Sequence, residues 1–494
     1  MAAKTLMIQG TGSGVGKSVI VAGLCRILKQ DGYRVAPFKS QNMALNSFVT
    51  PDGLEIGRAQ AFQAEAAGLE PMIEMNPVLL KPGADNCSQV IVMGKPIGNR
   101  DAQAYYKENL KPCVLEAFAK MQKMFDVILL EGAGSPAEIN LRDNDIVNMW
   151  MARQAEAPVL IAGDIDKGGV FAWMKGTFDL LRKDEKERVK GFIINKFRGD
   201  IKLLEPGVKM FEKMVQRPVI GTLPFYHDIT VDEEDALPLD PVSFATQNAE
   251  KKIHIAVVKT PRLSNFTDFT PLQHETDVHL QYVAKPEEIQ NADAVILPGS
   301  KSTIADWLFL RRQNWPDTLK SHVAQGKMLI GICAGFQILG SIIRDPLHIE
   351  SSLKEIAGLG FFKMETELLM DKTTVRRRLQ TRKNALIQTR CHVDGYEIHM
   401  GKTTLQKEHQ ALLEESAQAG LVTQNGRVWG TYLHGIFDND AFRRQFLNFL
   451  LAPKGGGASE NNLHFARFRQ EQFDKLASLL RAHLNMAQIY DFIF

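Results

Sequence analysis

One cysteine and one histidine in this chain have a spacing that would let them act together. Residues 328–340 read Met-Leu-Ile-Gly-Ile-Cys-Ala-Gly-Phe-Gln-Ile-Leu-Gly, and about a hundred residues later comes Gly430-Thr431-Tyr432-Leu433-His434-Gly435. A short apolar run, a cysteine flanked by Gly331 and Gly335, and then a helical pattern over 336–343 predict a strand–turn–helix elbow. Such an elbow holds Cys333 at a helix N-terminus, where the dipole favours a thiolate. A thiolate attacks a carboxamide, and His434 would serve as base and later as acid. The oxyanion that forms needs backbone N–H donors. Ala334 supplies one, and the loop holding Gly299 is a second source. An orienting acid two residues after the histidine is common in such sites, but that position is Ile436. Another group, such as a backbone carbonyl, could orient the ring, or the pair could act as a dyad.

A second chemistry lies at the other end. Residues 4–9 form an apolar, strand-like run, followed by Gly10-Thr11-Gly12-Ser13-Gly14-Val15-Gly16-Lys17-Ser18 and a helical pattern to residue 28. Backbone N–H groups of such a loop, with Gly12, Gly14 and Gly16, cradle phosphates at a helix N-terminus. Lys17 would reach the outer phosphates and Ser18 a Mg²⁺ ion. Thr11 stands where the strict pattern has glycine. Glu131 ends an apolar run at 127–131 and leads into a Gly-rich loop, a suitable place for a metal or water ligand, with a structural carboxylate as the alternative. Asp166 and Lys167 follow another strand and could touch phosphate or metal; a helix N-cap explains Asp166 almost as well. Lys39, Gln41 and Asn42 could bind the acceptor substrate, or form a solvated loop. Asn195 ends a further strand, where a nucleobase could be read.

These residues need parallel sheets to hold them. Strand patterns at 6–9, 34–38, 127–131, 159–163, 191–195 and 219–223 alternate with helical ones such as 56–67, 170–181 and 206–215. That alternation predicts an α/β domain with helices on both faces. Residues 233–250 read as a linker. A second alternating series, at 253–258, 278–283, 294–297, 329–332 and 428–433, predicts a separate α/β domain for Cys333 and His434. The expected division is 1–235, 251–450, and a flexible break with a helical tail over 451–494.

Composition narrows the class. The chain has 494 residues, 45% hydrophobic and 23% charged, with a net charge of +2. That balance makes no electrostatic case for nucleic acid. The five cysteines form no CxxC pair, which suggests reduced thiols and a cytoplasmic protein. There is no signal-peptide pattern and no apolar run long enough to span a membrane. A homo-oligomer stays open.

Together the stretches 10–18, 37–43, 55–60, 76–82, 131–141, 164–171, 195–200, 331–340, 395–401 and 432–437 resemble the cobyric acid synthase family. These are glutamine-dependent amidating enzymes of cobalamin biosynthesis. The N-terminal half is similar to dethiobiotin synthetase, a P-loop enzyme that shares the Thr11 departure. The C-terminal half is similar to class I glutamine amidotransferases, and the absent acid at Ile436 is a feature of the corrinoid-amidating members. The resemblance implies ATP, Mg²⁺, glutamine as nitrogen donor and a corrinoid substrate. It further implies amidation of the b, d, e and g carboxylates of adenosylcobyrinic acid a,c-diamide through acyl phosphates. Cobyrinic acid a,c-diamide synthase, or another two-module amidoligase, is the nearest alternative.

Overall fold

The computed structural model describes residues 2–83, 87–101, 105, 108–226, 229–230, 252–414, 418–455 and 463–494. The expected linker at 233–250 falls outside these residues, as does 456–459 of the expected break. Two compact units emerge, and neither is contiguous. One comprises Met1–Ala44, Glu55–Ala236 and Arg469–Phe494; the other comprises Leu45–Leu54 and Leu237–Phe468.

The first unit is built on a six-stranded parallel sheet. Its order is Val219–Pro224, Val189–Phe197, Val159–Asp164, Lys4–Gly10, Val127–Glu131, Val35–Phe38. The strands are nearly continuous apolar runs because helices cover both faces. Parallel pairing brings every C-terminal strand end to one edge, so Glu131 lies opposite Ile8 and Asn195 opposite Asp164. The helix Lys17–Gln30 leaves that edge with most of its residues buried. A smaller sheet orders Gln41–Met43, Val78–Pro82, Cys87–Val92 and Lys95–Asp101. Residues 41–43 are therefore a short strand and not a solvated loop.

Two helix boundaries differ from the pattern reading. The helix expected from Pro206 begins earlier, as Ile201–Val215, because the Asp200 side chain accepts from the Lys202 N–H and caps it. Pro206 sits inside it. The helix expected over 336–343 is Ala334–Leu339, and Ile342–Arg344 is a strand. Gly340, extended at ψ 179°, ends it.

The tail is helical and packs into the first unit. Its helices Phe465–His483 and Met486–Ile493 contribute to the first unit's core. Phe473, Leu476, Ala477, Leu480, Leu484, Ile489 and Ile493 are all buried there. Gly23 is what lets the long tail helix approach: a Cβ there would stand 2.7 Å from Leu480 Cδ2. Arg26 pairs with Asp474 at 2.7 Å, and the Asn485 N–H donates to the Ile220 carbonyl at 2.8 Å.

The second unit carries a seven-stranded sheet in the order Val278–Val283, Ile253–Val258, Ala294–Leu297, Met328–Ile332, Val428–Thr431, Gly420–Val422, Gln410–Ala411. The first five strands pair in parallel and the last two antiparallel. The long antiparallel pair Met364–Gln380 and His392–Leu405 belongs to a second sheet. Trp307, Trp315, Trp429 and Phe336 fill the core. Among the described residues no helix is long and apolar enough to cross a membrane.

Candidate active sites

Cys333 has φ 51° and ψ −104°, a left-handed backbone that side chains rarely adopt. The turn closes because its neighbours are glycines. A Cβ on Gly331 would lie 2.5 Å from the Gly335 carbonyl group, and one on Gly335 would lie 2.0 Å from the Leu297 oxygen. The Cys333 N–H donates to the Thr431 carbonyl at 2.8 Å, tying the elbow to the strand that leads to His434. Ala334 is the first helical residue after the thiol, as the elbow requires.

The strand expected to reach 433 stops at Thr431, and the chain turns to bring His434 into hydrogen-bonding contact with Cys333. Gly299 belongs here too: a Cβ on it would stand 3.2 Å from His434 Cε1. The orienting acid is Asp268, which the sequence reading missed. Its Oδ2 lies 2.6 Å from His434 Nδ1, and its Oδ1 accepts from the Gly435 N–H at 3.0 Å. Asp268 sits on the single turn Phe266–Phe269, 166 residues away in sequence, so no local spacing signals it. Burial alone would push the His434 imidazolium towards deprotonation. The Asp268 carboxylate outweighs it and holds the ring well above the ordinary histidine range, with the Cys333 contact adding to the rise. The arrangement lets His434 take the Cys333 proton as the sulfur attacks a carboxamide and hand it to the leaving ammonia.

The polar residues on strand His392–Leu405 surround this centre. Tyr396 stacks on His434 with centroids 5.3 Å apart, and their backbones pair, His434 N–H to the Tyr396 carbonyl at 2.8 Å. His399 stacks on Tyr432 at 3.8 Å and lies 3.4 Å from Glu397. Burial raises the Glu397 carboxyl, but His399 and Arg377 more than offset it, so it is held below the usual range.

The other centre is the sheet edge of the first unit. Glu131 is almost fully buried; its Oε1 accepts from Ser18 Oγ at 2.8 Å and from Lys39 Nζ at 2.9 Å. Gln63 Nε2, which the sequence reading did not single out, donates to Glu131 Oε2 at 2.5 Å. Burial pushes this carboxyl up, yet Lys39 first, then Gln63 and Lys17, hold it below the usual range and ionised. Lys17 Nζ donates to the Gly12 carbonyl at 2.8 Å. Gly14 and Gly16 both have positive φ, at 71° and 94°. Asn195 is committed to the loop: its Nδ2 donates to the Val15 carbonyl at 2.9 Å, and a Cβ on Gly16 would collide with it. Lys167 Nζ reaches towards Gly14, 3.9 Å from where a Cβ would stand. Asp166 pairs with Arg198 at 2.8 Å and is not the helix cap, a position Gly169 takes.

A cavity of about 940 Å³ opens over this edge, lined by Lys17, Ser18, Lys39, Gln41, Asn42 and Trp150 among others. Gln41 accepts from the Tyr105 hydroxyl, and Asn42 Nδ2 donates to Gln60 at 3.0 Å. The donor set suits Mg²⁺, which takes a hydroxyl, one carboxylate and phosphate oxygens more readily than an all-protein cage. Gln63 Oε1, buried beside Glu131, has no hydrogen-bond partner among the described residues. That oxygen adds acceptor character to the same spot.

A nucleotide-phosphate loop in one unit and a cysteine–histidine–aspartate centre in the other define a glutamine amidotransferase coupled to a nucleotide-binding module. Residues 6–239 match the CobQ/CobB/MinD/ParA nucleotide binding domain family, and residues 254–442 match the CobB/CobQ-like glutamine amidotransferase domain family. Over nearly the whole length the chain is similar to proteins named cobyric acid synthase. It is 47% identical to that of Thermoanaerobacter sp. (strain X514), covering 98% of each chain. It is also 47% identical to that of Citrobacter koseri, covering 99% of this chain and 98% of the relative. The same identity holds for that of Clostridium botulinum, covering 99% of both. The chain belongs to the cobyric acid synthase family and is a glutamine-dependent amidotransferase ligase.

Proposed function

We propose that the two centres divide one reaction. The observation that carries this reading is the pairing, in one chain, of the Ser18–Glu131–Lys39 cluster at a phosphate loop with the Cys333–His434–Asp268 cluster at a strained elbow. A carboxylate resists amination because its oxygen is a poor leaving group. The first centre would transfer the γ-phosphoryl of ATP to a carboxylate of adenosylcobyrinic acid a,c-diamide, giving an acyl phosphate and ADP. Ammonia then displaces phosphate, leaving the amide. In the second centre the Cys333 thiolate attacks the glutamine carboxamide, ammonia departs with a proton from His434, and water hydrolyses the thioester to glutamate.

Ser18 and Glu131 would hold Mg²⁺, which supplies charge neutralisation of the phosphoryl groups when bound. Lys17, bonded to the Gly12 carbonyl, and Lys167, near Gly14, would add positive charge at the loop. Gln41 and Asn42 line the wall where a corrinoid carboxylate would present itself. Four carboxylates, b, d, e and g, are the expected acceptors, and the enzyme would work in the cytoplasm. Incubating the purified chain with the corrinoid diamide, ATP, Mg²⁺ and glutamine tests this. Mass spectrometry should count four added amides; a count of two would favour a,c-diamide synthesis.

Two substitutions probe the centres separately. Glu131→Gln should lower corrinoid-stimulated ATP turnover by roughly a hundredfold or more, with little change in ATP binding, because charge moves chiefly in the transition state. Equal turnover at saturating Mg²⁺ would remove Glu131 from the site. Asp268→Asn should lower glutaminase kcat by roughly a hundredfold or more, as the loss of an orienting carboxylate does in related triads. Without Asp268, burial dominates and the His434 pKa falls. The alkaline limb of the glutaminase pH profile should then move to lower pH; an unmoved limb would argue against the ion pair.

A further inference from the structure

Ten residues of the P-loop half of the sequence are built into the amidotransferase unit. The chain leaves the first unit after Ala44, contributes Leu45–Leu54 to the second, and returns at Glu55. This strap is not a surface excursion, since Asn46, Ser47, Val49 and Thr50 are all buried. A turn closes it, with the Gly53 N–H donating to the Thr50 carbonyl at 3.0 Å.

Its contacts converge on the two groups that flank His434. Asn46 Oδ1 accepts from the Asn265 N–H at 2.7 Å, and the Ser47 N–H donates to Asn265 Oδ1 at 3.0 Å. Asn265 is held at φ 54° by this two-way clamp, and it is the residue that starts the single turn bearing Asp268. Asp268 closes the turn by donating its N–H to the Asn265 carbonyl at 3.0 Å. On the other side, the Tyr396 hydroxyl donates to the Ser47 carbonyl at 3.3 Å, and Phe48 meets the Tyr396 ring edge-on at 4.7 Å. Arg376 Nε pins the strap further by donating to the Val49 carbonyl at 2.8 Å. Asp268 fixes the His434 ring through Nδ1, while Tyr396 covers its face; the strap holds both.

We propose that Asn46 and Ser47 are positioning residues for glutamine hydrolysis, setting the His434 ring through the Asn265–Asp268 turn and Tyr396. The proposal rests on the glutaminase reading of Cys333 and His434. It also supplies a route between the two chemistries. The strap follows Lys39, Gln41 and Asn42 and precedes the helix Arg58–Ala66 that carries Gln63. Lys39 and Gln63 are the two side chains that grip opposite oxygens of Glu131. The chain leading into the strap and the helix after it thus each hold the carboxylate beside the phosphate loop, through Lys39 and Gln63. A shift there on binding of ATP and the corrinoid acid would be passed along ten residues to His434, so that ammonia is released when an acyl phosphate is ready to take it.

The test compares Asn46→Ala, Asn46→Asp and Tyr396→Phe in the full chain with the unsubstituted protein and Cys333→Ala. Glutaminase activity is measured with and without ATP and the corrinoid diamide, alongside synthesis from free ammonia. Asn46→Ala should lower glutaminase kcat by roughly tenfold to a hundredfold at unchanged glutamine KM, and lose stimulation by ATP and corrinoid. Its alkaline limb should move to lower pH, because Asp268 is no longer held on the imidazolium. Asn46→Asp keeps the acceptor oxygen and should restore most of the activity. Tyr396→Phe removes the hydroxyl and its bond to Ser47 and should show a smaller loss of stimulation. Synthesis from ammonia should stay within about twofold in each, which also reports that the chain is folded. Unchanged glutaminase kcat and stimulation in Asn46→Ala, or an equal fall in ammonia-dependent synthesis, would overturn the proposal. Glutaminase activity surviving in Cys333→Ala would instead overturn the reading on which it rests.

Discussion

Cys333→Ala should abolish glutamine-dependent amidation, by at least roughly a thousandfold, while leaving synthesis from high ammonium at alkaline pH. The substitution deletes the nucleophile at the one position whose backbone, φ 51°, presents it to His434. None of the other four cysteines, all free, lies in the motif: Cys25 is buried with its thiol pushed well above the ordinary range by desolvation alone. His434→Ala should behave in the same way, since the ring serves only glutamine cleavage. Lys17→Ala should abolish synthesis from both nitrogen sources, because no acyl phosphate forms for either to attack. If Cys333→Ala also lost ammonia-dependent synthesis while remaining folded, the division of labour would be wrong.

Cutting the chain after residue 245 should fail to yield a folded P-loop half. The alternating pattern of the sequence closes before that point, which suggests an independent domain, but the structure argues the reverse. Seven apolar side chains of the tail, from Phe473 to Ile493, are buried in the first unit's core. Six of them are Phe, Leu or Ile, and each of those contributes about 1.5–3 kcal/mol of burial. Their combined loss is as large as the roughly 5–15 kcal/mol that stabilises a whole domain. The cut would also bare the face of helix Lys17–Gln30 around Gly23, directly behind the phosphate loop. The expected result is an aggregated fragment with no ATP-dependent activity. Supplying residues 463–494 as a peptide should recover soluble protein. A fragment ending at 245 that unfolds cooperatively by itself and binds ATP would show the tail to be dispensable.

Much of both centres is legible in the residues because strand and loop chemistry is local. The apolar runs at 253–258, 278–283 and 294–297 coincide with strands of the structure, and 127–131 ends at Glu131 as the motif requires. Gly331 and Gly335 identify an elbow because only glycine permits the backbone approach that the turn makes. The boundaries that shifted did so for local reasons as well: Asp200 capped a helix ahead of Pro206, and Gly340 stopped one short of Ile343.

What eluded the sequence was carried by single long-range contacts. Asp268 and Gln63 each meet a candidate site residue, His434 and Glu131, through single hydrogen bonds and need no periodicity to do so. Lys39, expected to bind the acceptor, is fastened to Glu131 because a buried carboxylate must be paired to remain ionised. Residues 45–54 and the tail were placed by burial in units distant along the chain, where their side chains found cover. The Cys333 elbow, His434, the glycine-rich loop and the strand-end Glu131 follow from residue type and spacing, since each depends on the strand or turn immediately beside it. The third member of the cysteine site, the exchange of the strap and the closing of the P-loop core by the C-terminus depend on which distant surfaces complement one another. Only the packed chain decides that.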